Sequence, residues 1–504
     1  MCYLCSAKRK YQFYYIIKAM KKKLCVAAIM AASASAAMAG GLLTNTNQNA
    51  TFLRNPSRNA AIAIDGVYSN PAGIAFLPQG FHLSASWQAA FQKRLMDVNN
   101  PLFGLNSDGK GASRTFEGTT KAPVIPSLQA AYVINDKWSV SAQFAVGGGG
   151  GKCEFEEGLP MFEELIGGIV MKNGGNSYAL NQNLTGEQYF YGIQVGTSYK
   201  ITENLSVFGG ARGVIANSAY TGAITNIKAN GMNAAEYTAM SNGAKAEAEK
   251  LAAQANAALA AGDMATAEQL AAASGQYIGA AIKAGTVAAM IGDYKLDCSQ
   301  SGFGITPIIG VDWKFGKWNL AAKYEFRTKI ELENESHNSD NLTMLATQVP
   351  AVAVYADGAK VRSDIPAIMT LGAQYEICNN VRAMVGGVYY WDKDAKGTPI
   401  KKGNNTWEAN LGVEWDVTDK ILLSCGAQRT QYGFDDADMV DTNFNTSSTA
   451  IAIGGAYKFS ENVKLNLGYM HSFYANHKFT NANGTACNYT RKNDALGVSV
   501  DLKF

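Results

Sequence analysis

The side chains that could do chemistry in this 504-residue chain are few and scattered. Its four histidines, His82, His337, His471 and His477, show no clustered metal spacing, and no G-x-S-x-G accompanies them. Five cysteines follow residue 39, Cys153, Cys298, Cys378, Cys425 and Cys487, with no CxxC pair among them. Zinc and dithiol chemistry need that spacing, so no metal, no cofactor and no catalytic residue is expected. In an exported chain two of Cys153, Cys298 and Cys487 could pair, although the odd count leaves at least one thiol free. What remains is charge. Arg212, Arg327 and Arg382 lie on the polar face of alternating segments, together with Lys323, Glu325, Glu408 and Glu414. Mixed charges of this kind can tie an internal plug to a surrounding wall. The alternative is that one of the three guanidiniums receives a carboxylate through its paired donors. Both readings require a wall.

The elements that would build the wall alternate with a period of two. Phe81, Leu83, Ala85, Trp87, Ala89 and Phe91 share one face, against His82, Ser84, Ser86, Gln88 and Ala90 on the other. Thirteen further segments follow, near 127–134, 138–147, 187–201, 205–216, 301–315, 318–332, 364–377, 381–391, 405–417, 421–432, 448–459, 463–474 and 493–504. Short turns of two or three residues alternate with long connections, the longest over 217–300. That inequality is the mark of a barrel with periplasmic turns on one side and external loops on the other. Each short turn follows an aromatic-x-apolar triplet, headed by Tyr132, Tyr199, Trp313, Tyr375, Trp415 or Tyr457. By parity these rings stand on the apolar face at one height, a girdle at a membrane interface. No run of ~20 apolar residues exists for a spanning helix. Hydrocarbon satisfies no backbone polar groups, so a sheet crosses it only when closed. The expected fold is all-β: a 14-stranded antiparallel transmembrane β-barrel over 80–504, its last strand ALGVSVDLKF ending on Phe504 as an assembly signal.

Ahead of the barrel, Lys21–Lys23, the apolar stretch Leu24–Ala36 and Ala37-Met38-Ala39 read as a signal peptide within 1–39, cleaved before Gly40. Residues 1–39 hold seven of the 44 basic residues and no acid, so the remainder, 37 basic against 41 acidic, is slightly negative and nucleic acid is a poor partner. Residues 40–79 form the only material before the first strand, and a barrel of fourteen strands encloses space that must be plugged. Within the stretch, YSNPAGIAFL carries a fixed bend at Asn70-Pro71-Ala72-Gly73. The 217–300 connection contains an Ala-rich run, Ala234–Ala273, broken at Gly262-Asp263, which reads as an external helical hairpin that caps the mouth or else covers a greasy entry site. Five glycines, Gly147, Gly148, Gly149, Gly150 and Gly151, weaken the third strand and permit a bend.

Taken together, Gly40-Gly41, the segment from Asp65 through Gly73, and fourteen strands running to Phe504 resemble the FadL-type family of outer-membrane transporters for long-chain fatty acids and other hydrophobic compounds. The Asn70-Pro71-Ala72 triplet is the most specific piece. The resemblance implies a hatch in the lumen, a kink in the third strand near Gly147–Gly151, and lateral release of cargo into the membrane. It further implies partners limited to hydrophobic molecules or fatty acids, outer-membrane lipid, lipopolysaccharide and the assembly machinery, with the protein acting as a monomer and not as an enzyme. A sixteen-carbon chain at ~0.8 kcal/mol per methylene prefers an apolar site over water by about 12 kcal/mol, so release is the demanding step. A hatch that shifts between Asn70 and Gly73, or at its N-terminus, would supply it. The Ala-rich insert departs from the family and leaves its uptake residues unmapped. A loop-driven adhesive barrel and a polar-solute porin are the competing readings.

Overall fold

Seventeen strand segments join into a single sheet in the computed structural model, which describes residues 48–347, 352–397 and 403–504. The signal peptide expected over 1–39 and the Gly40-Gly41 start lie outside the described residues. In chain order the segments are β1 (Gly80–Asn99), β2 (Ser113–Val133), β3 (Trp138–Phe155), β4 (Tyr178–Thr202), β5 (Leu205–Ala229), β6 (Tyr294–Phe315), β7 (Trp318–Glu325), β8 (Glu331–Ser336), β9 (Lys360–Arg362), β10 (Ile368–Cys378), β11 (Val381–Tyr390), β12 (Thr406–Asp416), β13 (Ile421–Gln431), β14 (Ser448–Ser460), β15 (Val463–Tyr474), β16 (His477–Thr480) and β17 (Ala486–Lys503). Three of these, β8, β9 and β16, prolong β7, β10 and β15 across short breaks, which leaves fourteen staves around the barrel. Every neighbour is antiparallel, and β1 pairs with β17, so the sheet closes without an edge.

The six periplasmic turns fall where the aromatic-x-apolar triplets place them. Tyr132, Trp313, Trp415 and Tyr457 are exposed on the outer surface, and Tyr199 and Tyr375 lie within 4.6 Å of the Trp138 and Trp318 rings. Above this girdle the outward positions Phe144, Ile193, Ile309, Leu411, Val413, Ile451 and Ile453 are all exposed, an apolar band for hydrocarbon. Phe504 closes the seam: it exchanges backbone hydrogen bonds with Phe81 at 2.8 and 3.2 Å.

The strands differ from expectation in length on the outer side. β4 and β5 each run 25 residues, far beyond the ~9–11 that cross a membrane. There the sheet stands in water, so the outward face turns polar while Leu184, Tyr220 and Ile224 are buried inside, and the membrane alternation ends while the ladder continues. The connection expected over 217–300 is accordingly shorter: β5 persists to Ala229 and β6 begins at Tyr294. Between them two helices, Ala234–Ala260 and Met264–Met290, form the hairpin. The first opens with a capping box between Asn233 and Glu236. Small residues let the helices approach closely, with Ser241 and Ser274 hydroxyls donating to the Ala281 and Ala248 carbonyls at 2.7 Å. The second helix outruns Ala273 and carries Gly275, Gly279 and Gly285 in its interior. Only the base of this hairpin joins the cap: Tyr237, Ala284, Val287 and Met290 pack with Leu165 and Ile169 of the Pro160–Lys172 helix over the mouth.

Candidate functional site

The lumen is filled by residues 48–79. Asn70 ends a single helical turn, Gly66–Ser69, and its side chain accepts from the Gly73 amide at 3.3 Å, so Pro71 starts a second, 3-10 turn to Phe76. The bend leaves carbonyls pointing outward, and the wall collects them. Gln194 of β4 donates to Val67, Lys323 of β7 to Tyr68, Ser198 of β4 to Pro71 and Ser206 of β5 to Ala72, all at 2.7 Å. The Asn70 amide itself donates to Asp312 of β6 at 2.5 Å. The motif therefore works by presenting buried backbone acceptors to fixed donors, each worth ~1 kcal/mol net and more when left unsatisfied.

Two ionic networks reinforce this. Glu414 of β12 accepts from Arg54 at 2.6 Å, Arg58 at 2.9 Å and Arg382 at 2.7 Å. Arg382 also reaches Asp416 at 2.8 Å, and Arg58 holds Asp65 through two bonds of 2.8 Å. Burial would raise the Asp65 carboxyl, but the adjoining Arg58 guanidinium outweighs it and keeps Asp65 below the ordinary carboxylate range. In the second network Glu325 joins Arg212 and Lys323, both at 2.7 Å, and these cations lie over the Tyr68 ring at 5.1 and 4.2 Å.

The three arginines singled out from the sequence are thus not brought together. Arg212 is committed to Glu325 and Gln194, and Arg382 to Glu414 and Asp416. Arg327 sits in the break after β7, part-exposed at the outer rim, donating to the Asp394 carbonyl. A waiting carboxylate receptor is not what these positions form; charge on them is spent within the protein, and Arg212 and Arg382 fasten the hatch surroundings. The disulfide considered among Cys153, Cys298 and Cys487 is likewise not formed: all three are buried free thiols, with Cys153 and Cys487 inside one apolar cluster.

A feature not noticed in the sequence is a belt of inward glycines. Gly372 pairs with Gly386, Gly412 with Gly426, and Gly454 with Gly468, which pairs in turn with Gly497. The hatch backbone lies in this trough. A Cβ on Gly468 would stand 2.7 Å from the Arg54 amide nitrogen and 2.8 Å from the Leu53 carbonyl carbon. The signal was legible as glycine recurring at the middle of consecutive strands.

The opposite side of the barrel is built differently. Between β2 and β3 the register jumps from Thr120↔Cys153 to Ser127↔Ala145, so residues 121–126 face no ladder partner on β3. Pro123 and Pro126 have no N–H to give, and across from them Gly149 and Gly151 adopt φ of +96° and +70°, a conformation other residues rarely tolerate. β3 is also out of register with β4 on both sides of Gly148. Gly147 meets the hatch, its carbonyl accepting from Gln48 at 3.3 Å. Counting up from Tyr132, the gap starts six residues away, roughly 20 Å along a strand and about 15 Å in height at a ~40° tilt, within the ~25 Å apolar band.

At the outer end of the lumen an apolar cleft of about 660 Å³, open mouth included, lies between the Pro160–Lys172 helix and the inner faces of β4, β5 and β6. Phe162, Leu184, Tyr220, Ile224, Leu296 and Tyr355 line it. The cavity proper is about 70 Å³, so the cleft is narrow as it stands.

A closed barrel with an apolar outer band, an aromatic girdle and an occupied lumen is an outer-membrane protein. A Gram-negative porin family model matches residues 306–477. No curated protein sequence matches the chain. Among solved structures, a Pseudomonas aeruginosa FadL homologue superposes with a TM-score of 0.58 at 14% identity, covering 92% of this chain and 100% of its own. The P. putida toluene transporter TodX does so with a TM-score of 0.52 at 14% identity, over 88% of this chain and 94% of its own. At this identity the likeness is one of fold, and the fold is the FadL type with its fourteen staves.

Proposed function

We propose that the protein carries hydrophobic compounds across the outer membrane, taking them up in the cleft beside Tyr220 and releasing them sideways through the gap between β2 and β3. The observation that carries this reading is the pairing of an apolar cleft at the mouth with a stretch of wall at membrane height where β2 and β3 share no ladder pairs, around a lumen occupied by residues 48–79. A polar-solute channel needs the reverse, an open floor and an intact wall. Similarity of fold to a FadL homologue and to a toluene transporter supports the reading, and the apolar lining of the cleft favours greasy over polar molecules. Release follows if the hatch segment near Gln48, which touches Gly147, shifts when the lumen is loaded.

The test is a comparison in proteoliposomes. Labelled long-chain fatty acid and toluene are expected to enter at rates above protein-free vesicles, while small sugars cause no swelling. Swelling with sugars and no gain for either hydrophobic probe would sink the reading in favour of a porin. Loop-dependent surface binding without any uptake would favour the adhesive barrel.

A further inference from the structure

Two arginines other than those singled out from the sequence stand opposite each other inside the barrel. Arg94 on β1 and Arg491 on β17 are direct cross-strand partners, and they are 1% and 3% exposed. Like charges facing each other across a ladder destabilise it, and removing them from water adds to that cost. The segment linking β13 to β14 folds inward over the pair. The Thr442 carbonyl accepts from Arg94 at 3.2 Å, the Phe444 ring lies 5.4 Å from the Arg94 guanidinium, and Asn445 Oδ1 accepts from Arg491.

The ion pairs of the described residues give Arg491 no carboxylate, and residues 1–47, 348–351 and 398–402 contain no Asp or Glu that could supply one. Every other arginine in the lumen differs: Arg54, Arg58, Arg212 and Arg382 each bind an acid. Around Arg491 the mismatch repeats in neutral groups. Its own Nε, Asn445 Nδ2, Thr446 Oγ1, Ser448 Oγ and Ser472 Oγ are buried without a hydrogen-bond partner, and all of them can donate. Ser448 is aligned with Tyr474, whose ring lies 4.9 Å from the Arg491 guanidinium, and Ser472 stands two residues before it on the same face of β15. Buried donors are normally satisfied, so a cluster of spare donors around two cations calls for an acceptor.

We infer that Arg94 and Arg491 bind an oxyanion of the carboxylate or phosphate class in the lumen above the hatch, with the Asn445 amide and the neighbouring hydroxyls completing its shell. An oxyanion answers both facts at once: it separates the two positive charges electrostatically and accepts from donors that otherwise have nothing to bond. It can arrive as the headgroup of an amphiphilic cargo, which rests on the transport reading, or as a free ion, which does not.

Calorimetry on the refolded full-length barrel in neutral detergent decides. The probes are inorganic phosphate, decanoate and decanol, with R491Q and R491K as variants and heat-modifiable gel mobility as the check of folding. A cargo headgroup predicts decanoate binding at least tenfold tighter than decanol in the wild type, falling to the decanol value in R491Q and recovering in part in R491K. A free ion predicts phosphate binding lost in R491Q, with decanoate and decanol equal. Wild-type protein that binds neither phosphate nor decanoate better than decanol overturns the inference, as does an R491Q barrel that binds them unchanged. If R491Q does not fold, the wild-type comparison and R491K discriminate in its place. Decanol reports separately on the transport reading: phosphate bound and decanol ignored would defeat that reading and leave the oxyanion site standing.

Discussion

Along β10 to β17 wall and hatch are interlocked, with glycines opening a trough for the hatch backbone and Glu414 gathering Arg54, Arg58 and Arg382. Between β2 and β3 the same wall is broken by prolines and left-handed glycines, and the hatch meets it at Gly147 through an amide. The neighbouring seam from β1 to β17 sharpens the contrast, since its register runs without a shift from His82↔Lys503 to Asn99↔Ala486. The difference teaches that the plug is anchored unevenly: ion pairs and close backbone packing hold it on one side, and neutral amide and hydroxyl bonds on the other.

The ion-paired side breaks hardest at Glu414. Glu414→Ala leaves two buried guanidiniums, Arg54 and Arg58, and the part-exposed Arg382 around one another, a loss of about 3–5 kcal/mol. The barrel is expected to assemble while the hatch detaches, and vesicles carrying it should swell with small sugars; a variant that stays sealed would mean the trough alone fixes the hatch. On the other side, Ala122→Trp places an indole in the β2–β3 gap. Uptake of a labelled hydrophobic probe should fall about tenfold, the effect of ~1.4 kcal/mol added to the release barrier. Val498→Trp, on the outer face of the closed β1–β17 seam, should leave uptake unchanged, and equal losses in both would remove the gap from the pathway.

A smaller effect is expected from deleting residues 40–50, which removes the Asn49 bonds to Ser84 and Gln129 as well as the Gln48 contact. Each is worth ~1 kcal/mol, so uptake should change without loss of the barrel. Unchanged uptake in an assembled barrel would rule out a moving hatch N-terminus. The smallest effect concerns pH. Burial pushes the Asp441 carboxyl up to about 6, against the Tyr489 hydroxyl that bonds it. A raised carboxylate makes the folded loop favour the protonated form, so its contribution is complete below the unfolded value near 4 and is lost as pH rises through about 6. Asp441 also takes the Met161 amide at 2.8 Å, so proteolytic nicking of residues 432–447 should be slower at pH 5 than at pH 8. Asp65 has the opposite sign: its depressed carboxyl keeps the hatch ion pair intact over that whole range.

Much of the barrel was legible because hydrocarbon imposes a strict rule on each residue that meets it. Fourteen alternating segments, the turns and the girdle from Tyr132 to Tyr457 all follow from that rule. Where strands leave the membrane the rule lapses, and Arg94 fell beyond the last clear alternation at Phe91 although β1 continues to Asn99. The Asn70-Pro71-Ala72-Gly73 bend could be read locally because capping and proline geometry act over four residues. Its partners could not: Asn70 meets Asp312 across 242 positions, and Arg54 meets Glu414 across 360. By itself the sequence determined a closed barrel with an internal plug, since period and solvent suffice for that. Which arginines bind acids, which two stand opposite each other, and where β2 and β3 lose their ladder were decided by the tertiary structure, because charge pairing and ladder register depend on strands that only closure makes neighbours.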